Sequence, residues 1–162
     1  MSQSLEQGKR KLTAKDAITA GALGAVCIAI RFLFMLVGGV SPYVWFATHF
    51  IDAILIGPVF MLMVAKVQKR WSVTILGIIM GIIWFVTGMH WAFSLGYIGM
   101  GIIADLVAGA GDYRNKVVNL LSYMLISLGG IYTYVVFFLD PDGWASTMLD
   151  NGTEQSYIDT MS

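Results

Sequence analysis

Residues 43–87 read YVWFATHFIDAILIGPVFMLMVAKVQKRWSVTILGIIMGIIWFVT. Two apolar runs, Tyr43–Val67 and Trp71–Thr87, meet at the basic stretch Lys66–Arg70. Each run is long enough to cross a bilayer, which takes about 20 apolar residues, or about 17 at the short end. The same alternation extends outward along the chain. Of the ten Lys and Arg residues, all but Arg31 fall in Lys9–Lys15, Lys66–Arg70 and Arg114–Lys116, and the alternate connections carry none. Basic loops beside spanning helices stay on the cytoplasmic side, so the pattern predicts class, topology and orientation together.

Five runs reach spanning length: Ala14–Val40, Tyr43–Val67, Trp71–Thr87, Trp91–Ala110 and Val117–Leu139. They lack the alternation of barrel strands, and short connections bring consecutive helices side by side. The predicted fold is an all-α, polytopic membrane helical bundle of five transmembrane helices. A hydrophobic fraction of 57% exceeds the roughly 45–50% apolar usage of soluble domains, and the mean hydropathy of +0.75 points the same way. The formal net charge is zero, so no global field points to nucleic acid. The single Cys27 excludes a disulfide framework. The first run exceeds a signal-peptide core of about 7–15 residues and reads as a retained helix. The chain then divides into a cytoplasmic segment 1–13, a transmembrane domain 14–139 and an extracellular tail 140–162. That tail carries Asp140, Asp142, Asp150, Glu154 and Asp159 with no basic residue. Trp45, Trp91 and Trp144, with Tyr43, Tyr132 and Tyr134, fall near the predicted outer ends, as an aromatic belt would.

Charges inside a bilayer are costly and by default serve a function. Arg31 and Asp52 lie at similar depths on consecutive antiparallel runs, which predicts a buried ion pair. That pair fits two readings, a lock on helix register and a contact to a substrate. His49 lies three residues before Asp52 on the same helical face, but two such groups supply too few ligands for a metal. His49, Trp84, His90, Trp91 and Tyr97 fall on the outer half and are the candidate lining of an outward pocket for a flat or partly apolar molecule. Asp105, near the inner end of the fourth run, reads as interfacial. Ala17, Gly21, Ala25 and Ala29 form a straight ridge of small side chains. Such a ridge lets another helix approach closely, either within the bundle or from another subunit. The pairs Gly77/Gly81 and Gly96/Gly99/Gly101 read as ordinary close packing. No HExxH, Walker A, GxSxG or CxxC occurs, so nothing points to an enzyme or a cofactor.

Several segments together resemble a known family: Lys11–Asp16, Gly57–Leu62 with Ala65–Val67, Thr87–Trp91, Ile103–Leu106 and Asn119–Tyr123. They are similar to the Trep_Strep group, related to MptD-type S components of energy-coupling factor transporters. The resemblance implies a substrate-binding subunit of a bacterial vitamin or micronutrient importer. Such a subunit captures solute outside and docks on a transmembrane coupling subunit driven by two cytoplasmic ATPases. It also implies that the ridge Ala17–Gly21–Ala25–Ala29 is the docking stripe, and that the connection Val40–Trp45 closes the pocket. Thiamin-like, pterin-like and haem-like solutes all fit an aromatic pocket. S components have six helices and this sequence shows five, so a truncated product is expected. The alternative is a non-transporting membrane scaffold that binds partner helices and needs no pocket.

Overall fold

A computed structural model describes residues 12–38 and 42–161 of the chain. Helix α1 (Ala14–Gly38) is followed by α2 (Pro42–Val67), α3 (Ser72–Val86), α4 (Trp91–Ala110) and α5 (Lys116–Leu128). A 3-10 turn (Gly129–Ile131), α6 (Tyr132–Leu139), α7 (Pro141–Asp150) and α8 (Gln155–Met161) complete it. No strand occurs among the described residues. The protein is a helical membrane bundle. Segments Ala14–Gly38, Ala47–Val67 and Trp91–Ala110 are long and apolar enough to cross a membrane, whereas α3 and α5 are shorter. Helix α3 is shorter than its apolar run because both ends are taken by turns. The predicted fifth run, Val117–Leu139, is divided instead of continuous: the 3-10 turn at Gly129–Ile131 separates α5 from α6.

Local signals explain the boundaries. Thr13 and Asp16 form a reciprocal capping box at α1: Thr13 N–H donates to Asp16 Oδ2 (2.9 Å) and Asp16 N–H to Thr13 Oγ1 (3.3 Å). Helix α3 ends in a Schellman turn, with Met89 N–H bonded to Trp84 O and Gly88 N–H to Phe85 O. That turn needs a left-handed residue, and Gly88 supplies it at φ 81°. Asn115 caps α5 by accepting from the N–H groups of Val117 and Val118.

The basic connections gather at one end of the bundle, although residues 9–11 of the first basic stretch lie outside the described residues. Lys69 forms an ion pair with Asp16, and Arg114 donates to Gln68 Oε1 at 3.3 Å. Asp105 holds this end together and is not interfacial, being only 2% exposed. Its carboxylate accepts from the N–H groups of Trp71 (2.9 Å) and Val73 (2.8 Å) and from the Tyr113 hydroxyl (3.0 Å). Trp71 stands at the start of α3 with φ 78° and no side-chain cap of its own. A carboxylate from α4 therefore satisfies the open N–H groups of α3. Burial, then the Asp105 carboxylate, pushes the Tyr113 hydroxyl above its usual range, so it stays a proton donor.

Helices α3 and α4 pack through glycine. A Cβ on Gly77 would stand 2.8 Å from Gly101 Cα, and one on Gly81 2.8 Å from Ser94 O. The segment 140–161 is not a loose acidic tail: α7 and α8 fold back on the opposite end from the basic connections. Trp144 and Ile158 are buried against Ala92 and Phe137, and Asn151 donates to Gly88 O at 3.0 Å. Trp144 thus belongs to a small core, not to an interfacial belt.

Candidate functional site

Four helices converge on a cleft whose polar floor is made of Arg31 (α1), Asp52 (α2) and Tyr97 (α4). Arg31 Nε lies 3.3 Å from Asp52 Oδ2, both side chains nearly buried. The contact is an ion pair without hydrogen-bond alignment, since Nε makes no hydrogen bond. The guanidinium instead donates through Nη1 to the Tyr97 hydroxyl and lies 5.6 Å from the centre of that ring. Tyr97 is itself 2% exposed. Each partner comes from a different helix, so the charges are mutually satisfied only when α1, α2 and α4 are assembled. Burying either charge alone would be strongly unfavourable.

The 3-10 turn after α5 belongs to this arrangement. A Cβ on Gly129 would stand 3.0 Å from Tyr97 Cδ1, and one on Gly130 3.0 Å from the Tyr97 hydroxyl. The glycine pair lets backbone lie directly on the Tyr97–Arg31 unit, where any larger residue would displace it. Nearly two turns earlier in α5, Tyr123 donates to Ala53 O, the residue beside Asp52.

The walls are aromatic and ordered. Trp84 stacks on Phe32 (5.5 Å, 19° between planes) and meets Phe93 edge-on (5.5 Å, 70°). Phe93 in turn meets Tyr97 edge-on at 5.1 Å. Phe34, Met35, Thr48, His49 and Met89 complete the lining. The cleft holds about 380 Å³ of empty space, part of it at the open mouth. Trp84 is 4% exposed, and its indole N–H has no hydrogen-bond partner among the described residues.

Of the residues expected to line a pocket, His49, Trp84 and Tyr97 are brought together and His90 and Trp91 are not. His90 is used locally: its Nδ1 accepts from Ala92 N–H at 3.3 Å and so caps α4. Trp91 lies against the His90 ring at 5.4 Å, tilted by 33°, and is 61% exposed. Sequence reasoning missed Phe34, Met35, Thr48 and Met89, and placed Phe93 in the aromatic group beside the pocket without naming it as a contact. The first four fall close to the interhelix connections, where apolar residues read as interface. Phe93 had a signal, standing one helical turn before Tyr97 on the same face. Val40 lies outside the described residues, as do the side chains of Trp45, Tyr132 and Tyr134. No group of three metal-ligating side chains converges among the described residues.

The small-residue ridge faces away from the bundle. Helix α1 packs inward through Ala20, Gly24, Cys27 and Ile28. Ala25 and Ala29 are exposed and Ala17 and Gly21 half-buried. A Cβ on Gly21 would meet nothing within 4 Å. Ile18, Val26, Leu33 and Leu36 flank this face and are exposed as well.

Comparison with curated proteins and with solved structures returns no match. A family model described as "Hypothetical bacterial integral membrane protein (Trep_Strep)" matches residues 14–162, which takes in the cleft, the ridge and the C-terminal helices. With an all-helical apolar bundle and a match over nearly its whole length, the chain belongs to the Trep_Strep family of bacterial integral membrane proteins.

Proposed function

We propose that this membrane protein is the solute-capturing subunit of an importer of the energy-coupling factor type. The observation that carries the reading is the cleft: a charged and hydroxyl-bearing floor under aromatic walls, inside an otherwise apolar bundle. Intramembrane ionisable groups facing a cavity point by default to a functional site, and concave apolar sites with few polar groups are the usual form of small-molecule sites. Capture needs binding energy alone and no chemistry by the chain itself.

Transport would require a coupling subunit and two ATPases as separate polypeptides. The outward ridge Ala17–Gly21–Ala25–Ala29 is the face on which a coupling helix would dock, because small residues permit the close approach that drives helix association in lipid. In this reading the basic connections face the cytoplasm and the cleft opens outward.

The test is a thermal-shift screen of the purified protein against vitamins and other small heterocycles. A ligand at about 100 times its Kd stabilises by about 2.7 kcal/mol, and Trp84→Ala should remove that shift. Gly21→Leu with Ala25→Leu should abolish co-purification with the coupling subunit while leaving solute binding intact. Retained partner binding with no solute from the screen would favour a scaffold, which needs the ridge and not the cleft.

A further inference from the structure

We propose that the corner between α2 and α3 is a site for the headgroup of an anionic phospholipid. Lys66 and Arg70 meet the phosphate, and Trp71 sits at the boundary between headgroups and acyl chains. Charge separates the two ends of the bundle. At the basic end the described residues set Lys15, Lys66, Lys69, Arg70, Arg114 and Lys116 against Asp16, Asp105 and Asp112. Asp16 is taken by Lys69, and Asp105 is buried under two backbone N–H groups and the Tyr113 hydroxyl. Lys66 and Arg70 are exposed and form no ion pair among the described residues. The opposite end carries the five carboxylates of segment 140–161 and no Lys or Arg. Cations beside a spanning helix attract anionic lipid, so one bilayer surface is favoured over the other.

The seat on the bilayer follows from what adjoins the corner. Lys66 lies in the last turn of α2. Leu62, one turn before it, and Leu55 share its helical face and are exposed. The ammonium thus ends an apolar strip that faces lipid. Just beyond it, Trp71 is 48% exposed, with the Arg70 guanidinium 5.1 Å from its ring centre. Tryptophan, an apolar body with a polar N–H, is characteristic of the membrane–water boundary. A guanidinium stacked on its face keeps N–H edges for a phosphate. The Trp71 backbone is left-handed at φ 78°, a conformation that bulky residues rarely adopt. Asp105 of α4 fixes it by accepting the Trp71 N–H at 2.9 Å. The fold therefore holds a strained residue whose ring is left outside the core. Because Asp105 already takes the open N–H groups of α3, side chains and not the helix start receive the headgroup.

Native mass spectrometry of the full chain tests the site, with dioleoylphosphatidylglycerol, dioleoylphosphatidylcholine and inorganic phosphate as probes. The anionic lipid should be retained about tenfold more tightly than the zwitterionic one, the scale set by basic side chains at a charged surface. Inorganic phosphate should not displace it. Lys66→Gln with Arg70→Gln should cut the preference to about twofold, while the same charge change in Lys15→Gln with Lys116→Gln should leave most of it. Fluorescence in phosphatidylcholine vesicles carrying a minor share of brominated lipid gives a second reading. Brominated phosphatidylglycerol should quench tryptophan emission more than brominated phosphatidylcholine, and Trp71→Phe should remove that excess. Equal retention of the two lipids or displacement by inorganic phosphate overturns the proposal. So does an equal loss of preference in Lys15→Gln with Lys116→Gln, which would show diffuse surface charge only. An excess of quenching that survives Trp71→Phe overturns it as well.

Discussion

Arg31 and Asp52 are each other's reason for being tolerated. Replacing Arg31 by Gln leaves a carboxylate buried beside Tyr97, and losing one member of such a pair costs about 3–5 kcal/mol. The double variant Arg31→Met with Asp52→Leu should recover most of that stability while losing solute binding. Thermal unfolding in detergent, read beside a titration, separates the two effects. Asp105 makes a second, distinct case. Asp105→Ala strips the partner from two backbone N–H groups and one hydroxyl, at about 1–3 kcal/mol for each group left unsatisfied. Asp105→Asn keeps one acceptor oxygen and should lose markedly less, as chemical unfolding would show. The first pair was legible in the sequence because two charges at matched depth on neighbouring runs have only each other. The role of Asp105 was not, because it depends on Trp71 adopting a left-handed backbone, which residue type does not announce.

At the scale of helices, one spacing serves two purposes. Gly77 and Gly101 are in backbone contact across α3 and α4, so Gly77→Ala drives a methyl into Gly101 and should destabilise by about 1–3 kcal/mol. Gly21 has open space around it, so Gly21→Ala should be neutral or stabilise by about 0.5–1 kcal/mol through helix propensity. Equilibrium unfolding of the two alanine variants gives opposite signs if the faces are assigned correctly. No sequence pattern separates these glycines, since four-residue spacing marks a smooth ridge and says nothing of what lies against it. His90 shows the same limit: it stands beside Trp91 in a stretch that reads as a pocket rim, yet the helix start immediately after it takes its imidazole as a cap.

For the molecule as a whole, the alternation of basic and uncharged connections settled the bundle. The three long helices follow their apolar runs closely because caps and runs coincide there. The fifth run gave no sign of its division, because Gly129 and Gly130 matter through Tyr97, which lies far away in sequence. The C-terminal helices were legible only as too polar to span. Their contact with the α3–α4 turn makes them part of the end that carries Met89. Asn151→Ala, which removes the bond to Gly88, should loosen this end first and raise hydrogen exchange at Gly88–Ala92 before the rest of the bundle. Helix α1 has a consequence of another kind. It carries Arg31 in the cleft and, two residues earlier on the same rigid cylinder, Ala29 on the outward ridge. A solute and a docking helix would therefore be read by one element, and their affinities would be thermodynamically linked. Whatever factor a docked partner applies to solute affinity, the solute must apply to the partner's, so wherever that factor departs from one, a filled and an empty subunit would compete unequally for the same dock.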